Sequence, residues 1–170
     1  MGKNKYGLNE WILCLLIAMA TAGFMFVFCW PVRVEGVSMQ DTFNPGDRLL
    51  MSRLSALRGY KTGDIVICRI IQSNKKKNAV KRIIAAPGDS LVIENGLVYL
   101  NGNLLDEDYI KHVHTPGNIS LTLNEGEYFV MGDNRQDSYD SRAFGVVNKN
   151  DISGKIFLQW YPFAEMRAFL

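Results

Sequence analysis

The chain has 170 residues, 48% of them hydrophobic and 21% charged, which leaves room for one folded domain and an apolar segment but not for two independent catalytic domains. Its 19 Lys and Arg against 17 Asp and Glu give a formal net charge of +2, too little to drive sequence-independent binding to a phosphate backbone, so nucleic acid is excluded as a partner. Cys14, Cys29 and Cys68 form no CxxC pair and have no histidine at ligand spacing. Neither a zinc site nor a disulfide framework is therefore indicated, and each cysteine reads as a small hydrophobe.

Residues 1–10 carry Lys3 and Lys5 and lead into an uncharged run, WILCLLIAMATAGFMFVFCW, over residues 11–30. About 20 apolar residues are what a helix needs to cross a bilayer core, and tryptophan at each end suits the two interfaces. The run predicts one transmembrane helix. Two lysines precede it, whereas Arg33 and Glu35 follow it, so the local basic count places residues 1–10 in the cytoplasm and residues 31–170 outside. A cleavable leader would end in a small-residue site, but this run ends in FVFCWPVRVEG. A buried core helix would be shorter or would carry a polar stripe.

Beyond Pro31 short β-branched and aliphatic runs alternate with turn signals, which predicts a mainly β domain. Expected strands cover residues 32–37, 48–52, 64–71, 79–86, 90–94, 97–100, 128–131 and 151–160. Asn95-Gly96 and Asn101-Gly102 tolerate the positive φ angles of tight hairpin turns, so the stretch around them reads as a hairpin and a second turn. Lys75, Lys76 and Lys77 read as a solvated loop, with contact to anionic lipid as the alternative.

Most catalytic signatures are missing. There is no Gly-rich phosphate loop and no HExxH, so neither a metal nor a cofactor is implied. The only histidines, His112 and His114, sit in the polar segment DYIKHVHTPGNIS and read as surface residues. A serine can instead be activated by a lysine that burial keeps neutral. Lys81 is one candidate: in NAVKRIIAAPGD it shares a strand face with Ile83 and Ala85, while Arg82 alternates to the other. Alternation alone favours a solvated lysine, since exposed lysine is the rule.

Four segments narrow the choice: VEGVSMQDTFNPGD, KTGDIV, KRIIAAPGD and GDNRQDSYDSRAFG. Their order and style resemble bacterial type I signal peptidases, and with the leading apolar run they cover nearly the whole chain. The resemblance implies a signal-peptidase-like β-rich catalytic domain behind one N-terminal transmembrane helix. Such an enzyme is a serine endopeptidase that removes signal peptides from exported precursor proteins after small residues, at Ala-x-Ala-like sites. By motif, Ser38 is the implied nucleophile and Lys81 its general base. Ser138 matches the position that helps orient the lysine, and Asp140 and Arg142 match positions that hold the site together, as a charge-assisted pair. Met39 would border the substrate pocket. Gly36 falls where some relatives carry an oxyanion-binding hydroxyl, so that side-chain contribution is absent. Asp133, Asn134 and Arg135 are expected to fix a loop rather than to do chemistry. The implied partners are precursor proteins and the lipid bilayer, with the secretion machinery as a further candidate.

Three positions depart from the pattern. Asp41 replaces a common proline, Phe43 a leucine and Ala85 a glycine. Asp41 would either add negative charge near Ser38, favouring protonated Lys81, or point to solvent. Phe43, Trp160, Phe163 and Phe169 are candidates for resting on lipid, against an ordinary role in the core. Two other classes compete with the peptidase. One is a non-catalytic or specialised signal-peptidase-like protein assisting surface-protein or pilin assembly, which retention of both Ser38 and Lys81 disfavours. The other is a self-cleaving Ser-Lys repressor, which would carry a DNA-binding helix-turn-helix where this chain has its apolar run.

Overall fold

The structure is a computed structural model that describes residues 7–111 and 114–169. It opens with helix α1 (Leu8–Phe28), whose apolar side chains, among them Trp11, Leu13, Leu16 and Met19, are exposed. The side chains of residues 25–27 lie outside the described set, so the described apolar stretch of α1 stops at Phe24. Among the described residues no helix is long and apolar enough to cross a membrane. The helix also differs from the expected span of residues 11–30. It begins earlier, and Cys29 and Trp30 leave it to pair with Ser52 and Met51.

That pairing is the start of strand β1 (Cys29–Arg33), which the sequence placed at residues 32–37. Pro31 suggested that a strand could begin only after it. However, among the described residues β1 is an edge strand of the sheet, a position where a residue without an N–H is tolerated. The chain leaves the sheet after Arg33 to make the turn that carries Ser38, and the base of that excursion is closed by Val34 N–H to Asp47 O at 2.9 Å and Gly46 N–H to Val34 O at 2.8 Å.

The larger sheet continues with β2 (Arg48–Ser52), β3 (Ile65–Gln72) and β4 (Lys75–Ala85), with a short helix α2 (Ser55–Arg58) after β2. Lys75, Lys76 and Lys77 belong to β4, which corrects the loop expectation: Ser73 and Asn74 have φ of 52° and 59° and form the tight turn of a long β3–β4 hairpin. No Asn-Gly pair marked it, but asparagine reaches this conformation more readily than other side-chain-bearing residues. Strands β5 (Ser90–Glu94), β6 (Leu97–Leu100) and β7 (Asn103–Leu104) follow as a meander whose turns are the two Asn-Gly pairs, as the sequence predicts. After β8 (Ile119–Thr122) and β9 (Glu127–Met131) come helix α3 (Ser141–Phe144), β10 (Val147–Asn148), β11 (Ile152–Tyr161) and β12 (Arg167–Ala168).

The larger sheet is ordered β1-β2-β11-β3-β4-β9-β10, with β12 also on β11, and the smaller one β7-β6-β5-β8. β4 is buried on both faces where it matters. Ile83 packs with Val66, Tyr128 and Val130 on one side, while Ile84 and Ala85 pack with Leu91, Phe129 and Met131 under the smaller sheet. A third cluster, of Val34, Met39, Phe43, Leu49, Ile65 and Ile156, sits beneath the Ser38 turn. Cys68 is a core residue as expected, and all three thiols are free.

Candidate active site

Ser38 lies in a tight non-helical turn closed by Gln40 N–H to Val37 O, Thr42 N–H to Met39 O and Phe43 N–H to Met39 O, at 2.7 to 2.9 Å, with Asp41 at φ 104°. The turn is held down from below. Met39 and Phe43 are both buried in the core, and burying one side chain of that size is worth roughly 1.5–3 kcal/mol. Phe43 therefore belongs to the core reading, with Phe169 edge-on to it at 5.3 Å, while Phe163 is exposed.

From behind, the turn is gripped by the segment after β9. Asn134 N–H donates to Ser38 O at 3.1 Å and Asn134 Nδ2 to Val37 O at 3.2 Å. Asp133 accepts from Thr42 Oγ1 at 2.5 Å and takes both Nε and Nη2 of Arg82, at 2.9 and 2.7 Å. Gly132 is the point of closest approach: a Cβ there would overlap both Ser38 O and Ser138 Oγ. The two serines thus share one small residue as their spacer.

Lys81 is only 2% exposed, and its Nζ donates to Ser138 Oγ at 3.1 Å. Burial pulls its pKa below the usual lysine value. The charges of Asp140 and Cys68 pull it back up, and Arg142 pushes it down again. Asp140 and Arg142 are themselves paired: Arg142 donates through Nε and Nη2 to the two carboxylate oxygens at 2.9 and 2.8 Å. Burial would raise the Asp140 pKa. Hydrogen bonds from Arg142, Ser138 and the Gly132 N–H outweigh that effect and hold it low. Asp140 also caps α3 through the Arg142 N–H at 3.2 Å. The carboxylate is thus fixed on every side, and Ser138 sits between it and the Lys81 amine.

Arg82 points to the opposite face from Lys81 as expected, yet it too is buried. A cover unforeseen in the sequence lies over it: Tyr109 stacks on the Arg82 guanidinium at 3.9 Å, and Glu107 receives Arg135 through both terminal nitrogens, at 3.0 and 2.5 Å. Nothing in DEDYIKH signals this role, because the partners are distant in sequence. Asp41 does not face the Lys81 amine. Its carboxylate accepts the Lys111 N–H at 3.1 Å and ion-pairs with Lys111 Nζ at 3.6 Å, tying the same cover to the Ser38 turn. His114 is exposed, and His112 lies outside the described residues.

A cavity of about 460 Å³ opens beside Ser38, lined by Gly36, Met39, Ile67, Ala79 and Val80. Its wall also includes β1 from Trp30 to Arg33, so the sheet curls until its edge strand and β4 face one space. The structure thus gathers Gly36, Ser38 and Met39 at the cavity, and Lys81, Ser138, Asp140 and Arg142 in one network behind it. Among the described residues no hydrogen bond joins Lys81 Nζ to Ser38 Oγ. Such bonds are often long before substrate closes the site.

A sequence model of the family described as signal peptidase, peptidase S26, matches residues 8–161. The chain is 37% identical to signal peptidase I of Bacillus licheniformis, over 96% of this chain and 94% of that protein. It is 32% identical to signal peptidase IB of Staphylococcus aureus, with the same two coverages. A crystal structure of a signal peptidase I from Enterococcus faecalis superposes with a TM-score of 0.49 at 30% identity, covering 57% of this chain and 96% of that one.

Proposed function

Because the chain belongs to the signal peptidase family, peptidase S26, and is a type I signal peptidase, we propose that it cuts signal peptides from exported precursor proteins by a Ser38–Lys81 mechanism. The observation that carries this reading is the Lys81 amine: buried, lowered in pKa, and held by Ser138 next to the Ser38 turn. A neutral amine has one lone pair and two N–H bonds. With one N–H spent on Ser138 Oγ, the lone pair is left to accept the Ser38 proton. The Ser38 alkoxide then attacks the scissile carbonyl, and the ammonium returns its proton to the departing amine. Lys81 next deprotonates a water that opens the ester and regenerates Ser38. The backbone N–H of Ser38 would stabilise the oxyanion.

The substrate would lie extended in the cavity between β1 and β4, where the edge strand of the sheet offers backbone hydrogen bonds. Apolar walls from Met39, Ile67 and Val80 favour small side chains before the cut.

We further propose that α1 anchors the chain in the cytoplasmic membrane, with residues 1–10 inside and the β domain outside, where it meets precursors delivered by the secretion machinery. The support is the 20-residue run without charge and a 21-residue helix, about 31 Å long at 1.5 Å per residue, with exposed apolar side chains.

The test is cleavage of a precursor bearing an Ala-x-Ala site by the protein in detergent or vesicles. Ser38→Ala and Lys81→Ala are each expected to abolish it, and normal turnover by either variant would remove that residue from the mechanism.

A further inference from the structure

We infer that the β3–β4 hairpin is a second attachment to the bilayer, a cationic finger that binds anionic lipid headgroups; this rests on the proposed anchoring of α1. The register fixes where the finger points. Cys29 pairs with Ser52, Ser52 with Lys155 and Lys155 with Val66, so these residues form one row across four strands. On one side of that row β1 runs back into α1. On the same side β3 continues from Val66 to Gln72, turns at Ser73 and Asn74, and returns as β4 from Lys75. Six residues of strand reach about 20 Å. A twist of roughly 20–25° per neighbouring strand swings β3 about 60–75° from β1, which still leaves about 5–10 Å of that reach along the β1 axis, toward the end at which α1 joins the strand.

The chemistry of the finger matches that destination. Residues 69–78 read RIIQSNKKKN, with Arg69 and three lysines and no acid. Lys75, Lys76 and Lys77 are exposed, and among the described residues Arg69 alone of these four cations is ion-paired, with Asp151 at 3.8 Å. Ile71, near the tip, is 63% exposed, an apolar side chain among cations at the place where an interface would receive it. Other residues at the same end repeat the combination. Arg53 gives its N–H to Phe28 O at 3.2 Å at the end of α1, and the short α2 beside it presents Arg58 together with Leu57, 83% exposed. Basic side chains held within a Debye length of an anionic surface are attracted to it, and more weakly as salt rises.

The experiment uses the full chain in lipid nanodiscs, either of neutral phosphatidylcholine or with anionic phosphatidylglycerol added. An amine-acylating reagent and mass spectrometry report the modification rate of each lysine. Lys61, exposed before β3 at the far end of the sheet, is the internal reference. In anionic discs Lys75, Lys76 and Lys77 are expected to react about fivefold more slowly relative to Lys61 than in neutral discs, and high salt is expected to remove the difference. Equal relative rates in the two discs, or protection independent of headgroup charge, overturns the inference alone. Loss of the chain from discs of both compositions refutes the anchor, and the finger with it.

Discussion

Replacing Lys81 with methionine is expected to abolish turnover and to make the protein more stable at neutral pH. The amine titrates near 10.5 in an unfolded chain, and burial lowers it in the fold. Between those two values the unfolded chain holds a proton that the folded chain has shed. Stability of the native sequence therefore climbs with pH across that window, is complete above about 10.5, and is lost as pH falls through the folded value. Each unit of lowering amounts to about 1.4 kcal/mol. Methionine has a similar volume and no charge to desolvate, and it forfeits only the Ser138 hydrogen bond, about 1 kcal/mol. Exchanging buried ion pairs for well-packed apolar groups stabilises other proteins by about 1–4 kcal/mol, and a gain of that size in a domain near 150 residues corresponds to a rise in Tm of roughly 2–16 °C. Thermal unfolding of both proteins from pH 6 to above pH 10 measures this, and the gap should narrow as pH rises. A variant no more stable than the native sequence at pH 7, or a gap indifferent to pH, would show that the amine is hydrated and would undo the argument for a neutral base.

Ser138→Ala should lower kcat by roughly 10- to 1000-fold with little change in KM, because it frees the amine to rotate without emptying the substrate cavity, and the lost hydrogen bonds should lower Tm by at least about 2–4 °C; steady-state kinetics and thermal unfolding read the two effects. Gly132→Ala should cost at least about 100-fold in kcat/KM, since the added methyl must displace the Ser38 carbonyl or the Ser138 hydroxyl. Asp133→Ala leaves the Arg82 guanidinium buried without its carboxylate and should destabilise the protein by about 3–5 kcal/mol in urea unfolding. The pH profile of kcat/KM should show an acid limb set by Lys81, lying below the ordinary lysine range because burial disfavours the ammonium.

Elements with a strong local signal were legible in the sequence. The strand at residues 48–52, those at 90–94 and 97–100 with their Asn-Gly turns, and the apolar run all needed only alternation, length and turn chemistry. The misses are places where a tertiary partner overrides the local signal. Pro31 enters a strand because that strand lies at the sheet's edge, and Lys75, Lys76 and Lys77 extend because β3 opposite them supplies the ladder. In the site, Ser38, Lys81 and Ser138 were reached through motif resemblance, since alternation could not distinguish a buried lysine from a wet one. The Tyr109 and Glu107 cover was invisible for a different reason: it is made by pairings across 27 or more positions of chain, between residues that look like an ordinary polar loop.

The junction between α1 and β1 contains no spare residue. Phe28 closes the helix and Cys29 already pairs in the sheet. If α1 is embedded in a bilayer as proposed, Ser38 can neither swing on a tether nor sink toward the lipid, so its altitude above the surface is set by the geometry of one strand. A peptide bond would then be chosen partly by how far it stands from the end of the client's own apolar stretch, and the enzyme would measure its substrates as well as read them.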